Sequence, residues 1–166
     1  MTSEALRNRL HAAVVVLCAW LLFTSPWVSM LRRIPSGAGF FDYAHVVVGF
    51  AGLLLAAIYT WVCTSAGGWR TYFPWSAGRS QAVVDDVAGL FRGRIPTAES
   101  GGLFAAIEGL LLVALLAVAI TGAAWFALQG SAEAVAWRGH HVLAARVLIG
   151  LIVAHVLAVA SHLLDL

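Results

Sequence analysis

Four apolar stretches dominate the chain, each long enough to cross the hydrocarbon core of a membrane. A helix needs about 20 residues for that ~30 Å span, and the stretches near 10–31, 44–64, 105–129 and 140–164 reach that length. A β-barrel would instead show short segments of alternating polarity, so the backbone hydrogen bonds must close within helices. The expected fold is an all-α membrane protein, a four-transmembrane-helix bundle forming one integral-membrane domain over 1–166. With 61% hydrophobic residues and a mean hydropathy of +0.90, the chain has too little polar surface for a water-soluble fold of this size. The first stretch follows Arg7 and Arg9 as a signal sequence would, but it is long enough to span and has no Ala-x-Ala pattern. It is read as an uncleaved helix.

Lysine is absent, and ten arginines face eight acids for a net charge of +2. The arginines scatter through loops without forming a stripe, which excludes nucleic acid as a partner. Their placement sets the topology. With both termini cytoplasmic, Arg7, Arg9, Arg70, Arg79, Arg92 and Arg94 lie inside and Arg32, Arg33 and Arg138 outside. Trp27, Phe40, Phe41, Tyr43, Trp125 and Trp137 are then expected to belt the outer interface, and Trp61, Trp69, Tyr72, Phe73 and Trp75 the inner one. In the connection from about 65 to 104, Val83, Val84, Val87, Leu90 and Phe91 recur at helical spacing opposite Asp85, Asp86 and Arg92. This predicts a short amphipathic helix on the cytoplasmic surface or against a partner subunit.

Six histidines stand out against this background, because ionisable groups in membrane helices are costly and mark function. His11 enters the first helix at the inner side and His45 the second at the outer side. His141 and His155 share the fourth helix. Fourteen residues at 100° each leave those two side chains about 40° apart around the axis and ~21 Å apart along it. They occupy one face at two depths, and each depth has a second histidine, His45 outside and His11 inside. Two histidines converging from facing helices are what a six-coordinate haem iron needs beyond its four porphyrin nitrogens. The expected cofactors are therefore two haems, with His11, His45, His141 and His155 as axial iron ligands. Cys18 and Cys63 are the only cysteines and form no Cys-x-x-Cys-His site, so such haem is held without covalent attachment.

His140 competes with His141 for one ligand position, its offset from His155 being about 60° over fifteen residues. Gly49 and Gly52, four and seven residues past His45, leave its face of the helix bare. They either admit a flat porphyrin or serve ordinary small-residue helix packing. His162, Arg146 and Glu108 have polar roles open to them at a haem propionate, a subunit contact or a quinone. The bland readings are an interfacial histidine, a polar packing seam and a dipole-stabilised helix start. The main rival to haem is a metal or proton transporter using intramembrane histidines, which would bring carboxylates or thiols to a midplane that is here aliphatic.

The ordered segments RNRLHAAVVVLCAWLLFTSP, HVVVGFAGLLLAAIYTW, WRTYFP, EGLLLVALLAVAITGAAWF and HHVLAARVLIGLIVAHVLAVASH resemble a known family over nearly the whole chain. It is the bacterial di-haem cytochrome b family: the membrane subunits of formate dehydrogenase-N, nickel–iron hydrogenase and thiosulfate reductase, related to bacterial cytochrome b561. The resemblance implies two haem b, with His45 paired to His141 and His11 to His155, in a multi-pass protein of the bacterial inner membrane. It implies electron transfer between a periplasmic oxidoreductase or cytochrome subunit and quinone. The quinone is expected by His155, the loop end around Glu99 to Gly102 and the start of the first helix. The alternative within the same chemistry is a free-standing cytochrome b561-like quinone reductase oxidising a small molecule such as superoxide. The chain is shorter than the dehydrogenase and hydrogenase subunits, while its 65–104 connection is longer than a stand-alone cytochrome b561 would have.

Overall fold

The computed structural model describes residues 3–94, 96 and 101–164. Among them the regular structure is entirely helical: α1 Ser3–Thr24, α2 Phe40–Thr64, α3 Trp69–Tyr72, α4 Ser80–Leu90, α5 Leu103–Ala127 and α6 Glu133–Leu164. Helices α1, α2, α5 and α6 are long and apolar enough to cross a membrane.

The ends of these helices differ from the hydropathy limits for local reasons. α1 stops at Thr24 and not near Leu31, because Pro26 has no amide hydrogen to donate and restricts the residue before it. The hydroxyls of Thr24 and Ser25 instead donate to the carbonyls of Trp20 and Leu22, at 2.8 and 2.9 Å. At their starts, α1 and α6 run on into polar sequence, with Glu4 and Glu133 in first turns where the helix dipole favours an acid. His140 and His141 therefore sit two turns inside α6 and not at its mouth.

The chain packs as two compact units, Met1–Val62 with Leu115–Arg146 and Cys63–Ala114 with Val147–Leu166. In the first, Met30, Trp125 and Ala134 form a buried cluster, with Val28, Ile34, Val46, Phe126 and Trp137 packed around it. Trp125 is thus a core residue and not part of an interfacial belt. It is 7% exposed, and its indole donates to the Leu31 carbonyl at 3.0 Å. Arg138 donates to the Met30 carbonyl at 2.8 Å and Arg32 to that of Ser131 at 2.9 Å. Gly130, at φ +88°, returns its amide to the Arg32 carbonyl at 2.9 Å, a turn that favours glycine. These bonds fasten the α1–α2 connection to the ends of α5 and α6.

In the second unit, the carboxylate of Asp86 on α4 accepts the amide of Leu103 at 2.8 Å, capping the start of α5. The WRTYFP segment crosses α5 at Gly109, where a Cβ would collide with the Tyr72 carbonyl. That close approach explains a glycine in an otherwise aliphatic helix.

Candidate haem site

His45 lies in the second turn of α2, ahead of Gly49, and His141 in the third turn of α6. Their ring centroids are 6.2 Å apart and their planes perpendicular, at 90°. Metal–imidazole bonds run at about 2.0–2.1 Å and an imidazole centroid lies about 1.1 Å behind its ligating nitrogen, so two rings trans on one metal ion stand about 6.2–6.4 Å apart. The observed separation leaves His45 and His141 spaced as two imidazoles that would together hold one iron.

The hydrogen bonding of His141 selects which nitrogen is free. Its Nδ1 lies 2.9 Å from the carbonyl of Val118 on α5, and a carbonyl only accepts, so Nδ1 carries the hydrogen and donates. Nε2 is left with the lone pair a metal requires. Metal-binding histidines are commonly held this way, by a backbone carbonyl on the far nitrogen. The Thr121 hydroxyl is 3.5 Å from the same Nδ1. Gly122 makes room, since a Cβ there would sit 3.1 Å from the imidazole. Val118, Thr121 and Gly122 were not singled out from the sequence; the Thr-Gly pair in an apolar helix is the only signal they leave.

His140 is exposed and set edge-on to Trp137 at 5.6 Å, and takes no part in the His45–His141 ring contact. The helical angle from His155, smaller for His141 than for His140, already leans the same way. Nδ1 of His45 is buried without a hydrogen-bond partner, so, unlike His141, this ring is not oriented through its Nδ1. Around Gly49 an added Cβ would meet nothing within 4 Å, whereas at Gly52 it would meet Leu17 of α1 at 3.0 Å. Gly49 therefore borders open space, and Gly52 accommodates α1.

Asp42, one turn before His45, is a further residue that sequence patterns did not mark. It is 3% exposed and accepts the amides of Ser29 and Gly39 at 2.7 and 3.0 Å, together with the Ser29 hydroxyl. This ties the α1–α2 connection to the helix turn that presents His45. Asp42→Ala leaves two amides without their charged acceptor and is expected to cost about 2–3 kcal/mol. Asp42→Asn, which keeps an acceptor oxygen, should cost less; thermal unfolding followed by circular dichroism measures both.

His11 is exposed and stacks on Tyr59 of α2, with centroids 6.0 Å apart and planes 25° from parallel. His155 is half-buried, and its Nδ1, like that of His45, is buried without a partner. Arg146 is exposed and Glu108 half-buried. The side chain of His162, and Glu99 and Ser100 of the expected quinone region, lie outside the described residues. Among the described residues, no three histidine, cysteine or acidic side chains converge as a bare-metal site. The paired histidines would need their other iron ligands from a macrocycle.

A model of the family described as prokaryotic cytochrome b561 matches residues 5–164. The chain belongs to the prokaryotic cytochrome b561 family. No curated protein and no solved structure gives a significant match. Membership makes the chain a multi-pass membrane cytochrome b of a family that binds haem b and transfers electrons. In this b561-family chain, the His45–His141 pair fits such a group by spacing, by tautomer and by the bare helix face at Gly49.

Proposed function

We propose that the chain is a di-haem electron-transfer subunit of the bacterial inner membrane, linking a periplasmic redox partner to the quinone pool. His45 and His141 ligate the outer haem b, and His11 and His155 ligate the inner one. The observation that carries this reading is the perpendicular His45–His141 pair at 6.2 Å, with His141 oriented by the Val118 carbonyl. The second pair rests on the fourteen-residue spacing of His141 and His155 and on the resemblance to di-haem subunits.

Bound haem supplies a one-electron redox couple. The chain's own contribution is ligation, orientation and exclusion of water. Val118 fixes the tautomer of His141. Asp42 secures the connection ahead of His45, and the apolar helices keep the surroundings at low dielectric. With both termini cytoplasmic, the His45 end faces the periplasm and its partner. Quinone then exchanges electrons near His155 and the start of α1.

The test is spectroscopic and compositional. Purified in detergent and reduced with dithionite, the protein should show a b-type α band and contain two haems per chain. It should also be reduced by a quinol analogue and co-purify with a stoichiometric periplasmic subunit. Absence of the α band rejects the haem assignment, and a ratio near one rejects the second pair. Purification without any partner favours the free-standing quinone reductase.

A further inference from the structure

The connection between α2 and α5 holds an open cavity of about 440 Å³ lined by Arg70, Ser76, Ala77 and Arg79. It takes no part in haem ligation. Two guanidinium-bearing residues share it, and among the described residues no acid lines it. Arg79 is held in place by donating from Nη2 to the Arg70 carbonyl at 2.7 Å, and the Arg70 guanidinium lies 5.3 Å over the Trp69 ring. The two acids of α4 are engaged elsewhere: Asp86 caps α5, and Asp85 accepts from Gln81 at 2.9 Å. Two fixed cations with no acid beside them among the described lining residues suit a phosphate group.

The surroundings identify which phosphate. Trp69 and Trp75 are 39% and 47% exposed, and on and after α4 Val84, Leu90 and Phe91 are 57%, 48% and 89% exposed. So much uncovered apolar and aromatic surface, in a segment that follows a membrane-spanning helix, suits acyl chains and the membrane interface. Free inorganic phosphate would leave it bare. We propose that the Arg70–Arg79 cavity binds the phosphate of an anionic phospholipid whose acyl chains cover the exposed faces of Trp69, Trp75 and α4. Arg92 and Arg94, also exposed, lie outside the cavity and serve as the internal control.

Native mass spectrometry of the haem-loaded full chain in detergent, titrated with dioleoyl phosphatidylglycerol or dioleoyl phosphatidylcholine, tests this. The anionic lipid should be retained at roughly tenfold lower concentration than the zwitterionic one. Arg70→Gln, which leaves the Arg79 bond to the backbone in place, should remove most of that preference, and Arg70→Gln with Arg79→Gln all of it, with the haem spectrum unchanged. Arg92→Gln with Arg94→Gln should leave the preference intact. Equal retention of the two lipids by the unmodified chain would overturn the proposal, as would equal loss in the Arg92/Arg94 variant, which signals diffuse charge. Displacement of the lipid by an equal concentration of inorganic phosphate would assign the cavity to a free anion instead.

Discussion

Replacing His141 with alanine should halve the haem content of the purified protein, from two per chain to one, whereas replacing His140 should leave it unchanged. The two residues are adjacent and chemically identical, so the contrast isolates geometry. His141 donates from Nδ1 to the Val118 carbonyl and faces His45 at 6.2 Å, while His140 is exposed beside Trp137. Losing even an outer-shell partner of a metal-binding histidine costs roughly 10–100-fold in affinity. Losing the ligand itself should exceed that, leaving His45 alone to hold the iron. His45→Ala should give the same loss, and a haem assay against protein concentration reads all three variants. If His140→Ala is the one that loses haem, α6 is rotated relative to the arrangement described here.

Gly122→Leu should have a comparable effect without touching a ligand. A Cβ at position 122 would already lie 3.1 Å from the His141 ring. The further carbons of leucine would occupy the space of the imidazole and drive it off the Val118 carbonyl. Overpacking of this kind costs about 1–3 kcal/mol in a well-packed interior, and here it falls on the ring proposed to ligate the iron. The expected outcome is a folded, helical protein with one haem fewer, or with that haem converted from low-spin to high-spin. Gly122→Ala requires only a few tenths of an ångström of adjustment and should retain both haems. The pair of variants thus separates displacement of the ring from general damage to α5. Normal haem content in Gly122→Leu would show that the His141 ring does not rest against Gly122.

Much of this arrangement is legible in the sequence because membranes impose simple rules. Length and hydropathy locate α1, α2, α5 and α6, since an apolar run that long closes its hydrogen bonds in lipid only as a helix. Helical arithmetic places His141 and His155 on one face because α6 runs unbroken from Glu133 to Leu164. What remained hidden depends on neighbours. His140 and His141 differ by a single 100° step, so their offsets from His155 favour His141 only slightly, and the carbonyl of Val118 and the bare Gly122 on another helix add the contrast. Trp125 has the composition of an interfacial anchor, but a carbonyl in the α1–α2 connection accepts its indole and draws it into the core. Asp42 and Asp86 look like ordinary surface acids until the loop amides they accept are located. Helix ends depart from the hydropathy limits wherever polar residues keep helical conformation past the apolar run, or where Pro26 stops it early.

Electron paramagnetic resonance of the oxidised protein, recorded on the His155→Ala variant to leave the His45–His141 site alone, tests the central claim most directly. Two perpendicular imidazoles on one ferric haem should give a strongly anisotropic low-spin signal. That signal should vanish when His141 is also replaced. A purely high-spin signal, or a low-spin signal that survives the loss of His141, would contradict ligation by this pair.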